Sequence, residues 1–184
     1  MTTECTAPSL PFQPVAQREI VAHFDGGTLT SDGGALLLRE VELRTGILKQ
    51  LAACFTDHRA PNVIEHSVEQ LVAQRILGLA LGYEDLNDHD QLRADPLLAV
   101  VAGSADPLGR QRRKRRDCGQ ALAGKSTLNR LELTPPDAGP KSRYQKIVCR
   151  RPAVEAVFVD YFLQAHPRPP DVIILDPDAT DLPL

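Results

Sequence analysis

Asp176 and Asp178 follow directly on the apolar, mostly β-branched run Val172-Ile173-Ile174-Leu175. A carboxylate at the exit of a buried strand is held rigidly, which is what a metal ligand or a general base needs. Two-metal phosphoryl-transfer sites use such carboxylates to hold ions about 3.5–4 Å apart, activating the nucleophile and stabilising the leaving oxygen. The same two residues would serve equally as a strand-end cap or an Asx-turn, and their spacing alone leaves both readings open.

Gly119-Gln120-Ala121-Leu122-Ala123-Gly124-Lys125-Ser126 satisfies GxxxxGK[ST], the pattern of a phosphate-cradling loop. That loop needs a buried strand before it and backbone free to approach phosphate. Here the preceding residues are Arg112-Arg113-Lys114-Arg115-Arg116-Asp117, which cannot be a buried strand, and Ala-Leu-Ala lacks the required glycines. The match is read as coincidence, and no nucleotide is expected.

Charge is the stronger signal. The chain has 184 residues and a net charge of −3, but residues 110–151 hold 13 Lys/Arg against Asp117, Glu132 and Asp137. The rest of the chain, with 8 basic and 21 acidic residues, is acidic. A concentrated basic segment in an acidic body directs its field at a polyanion, most commonly nucleic acid. Arg110, Arg112, Arg113, Lys114, Arg115 and Arg116, with Lys125 and Arg130, are the candidate DNA-contacting residues. Such contacts would be salt-sensitive and would position the protein without specifying bases. A solvated, disordered loop is the plainer alternative for residues 110–116.

Glu84, Asp85, Asp88, His89 and Asp90 lie too close in sequence to converge on one ion from a helix and lack EF-hand spacing; Asp85 or Asn87 as a helix cap explains them better. Cys5, Cys54, Cys118 and Cys149 form no CxxC pair, which disfavours zinc and fits free thiols in a reducing compartment. No run approaches the roughly 18–20 apolar residues of a membrane span, and the N-terminus has no secretory pattern.

The elements that must position these groups are mostly helical, since Leu, Ala and Val dominate and aromatics are only 4%. Residues 1–19 read as a disordered tail. Residues 20–102 read as a short β-hairpin (strands at 20–24 and 28–30 around Gly26-Gly27) followed by a helix capped by Ser31 or Asp32 and ending near Gly46, then helices at 47–55 and 68–81. Ser67 and Gln70 form a capping box for the last of these, and Pro96 suits the first turn of a further helix. Residues 103–125 are a basic loop. Residues 126–170 hold a short helix at 126–133, a longer one at about 154–164 and a Pro-rich linker, and 171–184 bring a buried strand.

Several of these segments, taken in order, resemble bacterial insertion-sequence transposases of the DDE type. They are Phe24-Asp25-Gly26-Gly27, the run from Thr30-Ser31-Asp32-Gly33-Gly34 to Arg39-Glu40, Gly82-Tyr83-Glu84-Asp85-Leu86-Asn87-Asp88-His89-Asp90, Leu92-Arg93 with Asp95-Pro96, Gly124-Lys125-Ser126-Thr127-Leu128-Asn129-Arg130, and Asp178-Ala179-Thr180-Asp181. The resemblance covers about residues 20–184. It implies a helical N-terminal region for DNA binding and assembly, then an RNase H-like catalytic domain. Asp178 maps onto the first of the family's three metal-binding acids, with Mg²⁺ as the expected ion. Pro177 stands where family members carry an aliphatic residue, and Asp181-Leu182-Pro183-Leu184 replaces the usual continuation.

The expected fold is therefore mainly α with a small β component: a helical N-terminal region followed by the first strand of a truncated RNase H-like α/β domain. The expected function is that of the N-terminal fragment of a DDE transposase. The parent reaction is metal-dependent DNA strand cleavage and strand transfer, and the chain alone is expected to be inactive. Transposon-end DNA and further copies of the chain are the expected partners, without a membrane, in the bacterial cytoplasm on the nucleoid. The alternative is a non-enzymatic protein that binds transposon ends or full-length transposase.

Overall fold

The computed structural model describes residues 10–22 and 31–174, and it is mainly helical with two small antiparallel sheets. Strands β1 (Leu10–Val15) and β2 (Arg18–Ala22) pair as a hairpin with Phe12 opposite Ile20. The hairpin thus begins inside the segment expected to be a tail. The strand expected at 28–30 lies outside the described residues. Arg39 on helix α1 (Ala35–Thr45) ties the hairpin down, donating to Gln13 O at 3.1 Å and Pro14 O at 3.2 Å.

Helix α2 (Ile47–Ala52) stops sooner than the apolar pattern suggests, because Phe55–Asp57 is drawn into strand β3. Its partner β4 (Ile147–Cys149) comes from about 90 residues further on, with Phe55 facing Cys149 and Asp57 facing Ile147. His58 N–H to Lys146 O at 2.8 Å and Arg150 N–H to Cys54 O at 2.9 Å extend the pairing at both ends.

Helix α3 (Val68–Ala80) is the central element. Ser67 Oγ accepts from the Gln70 N–H at 3.1 Å, half of the expected box; the Gln70 side chain turns instead to His66. One side of α3 buries Ala73 and Leu77 against α1 and α5 (Pro96–Val101) with Leu36, Leu98 and Leu122. The other buries Leu71 and Val72 with Leu51, Leu128, Leu131, Ile147 and Val157, contributed by α2, α6 (Lys125–Glu132), β4 and α7 (Arg151–Ala165). Asp95 caps α5 by accepting from the N–H groups of Leu97 and Leu98 at 2.7 and 3.0 Å, with Pro96 in the first turn where its missing donor costs nothing.

Helix α4 (His89–Leu92) carries His89 wholly into the interior. The imidazole lies so close to α3 that a Cβ at Gly78 would sit 2.8 Å from His89 Cε1, so only glycine fits there. Val172, Ile173 and Ile174, expected in a buried strand, take no regular structure and are 59–86% exposed. A strand needs a partner, and among the described residues none lies beside them. Leu175, the Asp176/Asp178 pair and the rest of the expected catalytic strand lie outside the described residues. Among the described residues no helix is long and apolar enough to cross a membrane.

Candidate nucleic-acid interface

The basic segment is carried on an ordered, closed loop. Gly109 O accepts from the Gly119 N–H at 2.9 Å, so the chain returns to its starting point after displaying Arg110–Arg116. The closure depends on Gly109, whose φ is +61° and where a Cβ would lie 2.6 Å from the Gln120 nitrogen. Within the loop Arg115–Asp117 forms a 3-10 turn.

The chain then plunges into the core. Ala121, Leu122 and Ala123 are buried, and the Leu122 N–H reaches Arg93 O at 3.0 Å. Gln74, fully buried on α3, pairs its carboxamide with the backbone of Ala123: Nε2 donates to Ala123 O at 2.7 Å and Oε1 accepts from Ala123 N–H at 3.0 Å. The second Nε2 proton goes to His89 Nδ1 at 3.1 Å, which makes Nδ1 the acceptor and leaves the imidazole proton on Nε2.

This anchorage sets the start of α6. Asp90 Oδ1 accepts from the Lys125 N–H at 3.1 Å, and Lys125 Nζ is held by Asn87 at 2.9 Å and Asp90 at 3.5 Å. At the other end Arg75 pairs with Glu132. Leu128 and Leu131 face the core, while Ser126, Asn129 and Arg130 face outward. Arg130 and Arg143 lie 5.6 and 4.9 Å from the ring centre of the exposed Tyr144.

Two hollows, of about 660 and 870 Å³, flank this surface, and both are lined by Ser126, Arg130, Arg143 and Tyr144. The first is strongly cationic: Arg59, Arg93, Arg112, Lys114, Arg116, Arg130, Arg143 and Lys146 line it against Glu65, Asp90 and Asp117. Low-dielectric walls lined by one sign of charge focus the potential inside a cleft. Among the described residues, no acidic group pairs with Lys114, Arg130, Arg143 or Lys146.

The basic residues expected to touch DNA are not placed alike. Lys114 and Arg116 face the cationic hollow, and Arg130 lines both hollows. Arg110 and Arg115 are exposed but line neither. Arg112 is turned inward, 2.5 Å from His66 Nε2 and 3.6 Å from Glu65, and Arg113 donates to Asn62 O at 2.7 Å; both fasten the loop to the body. Lys125 lines the larger hollow but is held by Asp90 and Asn87.

Arg59 and Arg93 join the surface from distant segments, and no local charge run marks either one. Arg59 is gripped bidentately by Asp57 at 2.7–3.1 Å. Burial pushes Asp57 upward, but the hydrogen bonds and charge of Arg59 outweigh it and hold the carboxyl below its usual value. His66 and His89 are both driven down: His66 by burial and then the Arg112 charge against the rise from its Gln70 bond, His89 by burial and then Arg75.

Of the acidic run, Asp85 caps the 3-10 turn Leu86–Asp88 by accepting from Asn87 N–H at 2.8 Å, as its position suggests. Among the described residues no group of three or more His, Cys, Asp or Glu is arranged to hold a metal ion.

A family model described as Transposase DDE domain group 1 matches residues 12–184. No curated protein and no solved structure matches the chain.

Proposed function

The chain belongs to the group 1 family of DDE-domain transposases, and we propose that its described region binds the DNA of transposon ends through the cationic hollow beside α6. The observation that carries this is the convergence of eight Lys/Arg against three acids on one concave surface, drawn from five separate stretches of a net-acidic chain. Binding of this kind releases counterions, so affinity falls linearly in log–log with salt.

DDE transposase chemistry depends on divalent metal ions. Asp178 is the candidate first ligand, with Mg²⁺ the proposed ion. It lies outside the described residues, and no cluster of acids, histidines or cysteines among the described residues offers a substitute site. We read the described region as the DNA-binding part of a transposase, acting on DNA in the bacterial cytoplasm and assembling with further copies of the chain. The GxxxxGKS segment serves as structure: its Ala-Leu-Ala interior is core, and Asp90 occupies the Lys125 N–H that a phosphate would require.

The test is fluorescence anisotropy of the purified chain on duplex DNA across a salt series. A steep negative salt slope is the expected result. No measurable binding at about 50 mM salt overturns the DNA-binding reading.

A further inference from the structure

Resting on that DNA-binding reading, we infer that the outward face of α6 enters the DNA major groove and reads base edges through Ser126, Asn129 and Arg130. The hollows explain why this face and no other. Ser126 and Arg130 line both, as do Arg143 and Tyr144 beside them, so this helix face, with the Arg143–Tyr144 segment against it, forms the ridge between them. A duplex laid on this ridge would settle one backbone into each hollow.

The chemistry of the ridge is that of a reader. Asn pairs bidentately with adenine N6/N7, Arg with guanine O6/N7, and Ser can serve either base. Residues i, i+3 and i+4 share one helix face, as 126, 129 and 130 do. Among the described residues, the side chains of Ser126 and Asn129 make no hydrogen bond, and Arg130 rests only on the Tyr144 ring. A helix about 10–12 Å across with its side chains matches a major groove about 12 Å wide.

Rigidity separates this helix from an ordinary polar surface. Gln74 pins its approach, Asp90 its first turn, and Arg75 its last through Glu132. Two buried leucines fix its rotation about its own axis. Reading side chains carried on a locked element lose little freedom on binding. The cations flanking the ridge, Lys114 and Arg116 on one side and Arg143 on both, supply the phosphate contacts that set register.

The experiment is selection from a pool of randomised duplexes by the full chain, followed by sequencing, with the same selection for Asn129→Ala, Ser126→Ala and the Lys114→Ala/Arg116→Ala pair. The wild type should enrich a defined sequence. Asn129→Ala should lose the preference at one base pair by about 5- to 150-fold, and the Lys114/Arg116 pair should weaken all duplexes evenly while enriching the same sequence. Ser126→Ala, the smallest change on the face, keeps the test alive should Asn129→Ala unfold. An unchanged enriched sequence in both α6 variants overturns the inference, as does a wild type that binds without enriching any sequence; the DNA-binding reading survives either result. Failure to retain any duplex at low salt sinks the underlying reading itself.

Discussion

Gln74 and Ala123 form a miniature strand pairing, side chain to backbone, at the point where the chain leaves the core and becomes α6. Every polar group in it is buried, so no solvent replaces a lost partner. Gln74→Leu keeps the volume but orphans the Ala123 N–H and C=O. A buried unsatisfied group costs about 1–3 kcal/mol, so urea unfolding should show a clear loss of stability. DNA affinity should fall with it even at temperatures where the chain remains folded, because the start of α6 is no longer fixed.

Gly109 tests whether loop closure is needed to present the basic run. Alanine there meets both a left-handed φ of +61° and the Gln120 backbone at 2.6 Å. Gly103→Ala is the control: its φ is +79°, but the space around it is open. The conformational cost alone is about 1–2 kcal/mol. Trypsin should therefore cut at the arginines of the loop markedly faster in Gly109→Ala than in Gly103→Ala.

Much of this arrangement is legible in the sequence, and the limits have physical causes. The Ser67 cap announces α3 and Pro96 the start of α5, because capping and a first-turn proline are local signals that need no distant partner. The mainly helical character follows from the aliphatic composition. Strands β3 and β4 do not show, since each has three residues and draws its stability from a partner far away in the chain. The cationic surface shows only in part: a charge run reveals Arg110–Arg116 but not that Arg112 is turned toward His66, nor that Arg59 and Arg93 fold in beside it.

That difference in placement among the basic residues gives opposite outcomes for two neighbours. Lys114 faces the hollow with no acidic partner among the described residues, so Lys114→Ala should reduce the salt slope of DNA binding by about one and leave thermal stability nearly unchanged. Arg112 is mostly buried between His66 and Glu65. Arg112→Ala strips His66 Nε2 of its donor and loosens the loop, so it should lower the melting temperature. The pair is decided by a melting curve and an anisotropy salt titration on each variant; equal melting temperatures would refute the buttress role of Arg112.

Acid should weaken the fold through His66 and His89, both buried. His66 Nε2 accepts from Arg112 and its Nδ1 faces Gln70 Oε1, so a second proton would set an imidazolium against Arg112 with Arg59 nearby, opposed by the Gln70 bond and Glu65. His89 Nδ1 accepts from Gln74, so protonating it sets donor against donor; Arg75 adds repulsion, while Asp88, Glu132 and Asp90 oppose it. Both folded-state values lie below the ordinary 6.5, so between the folded and unfolded values the unfolded chain binds more protons. Stability is then fully present above about pH 6.5 and is lost as pH falls from there through the folded values. Urea midpoints measured from about pH 8 down to about pH 5 should be flat at first and then decline over the acid half. In His66→Gln the decline should shrink, because one of the two protons no longer enters. A decline of the same size in that variant would mean that the Arg112–His66 contact does not govern the acid response.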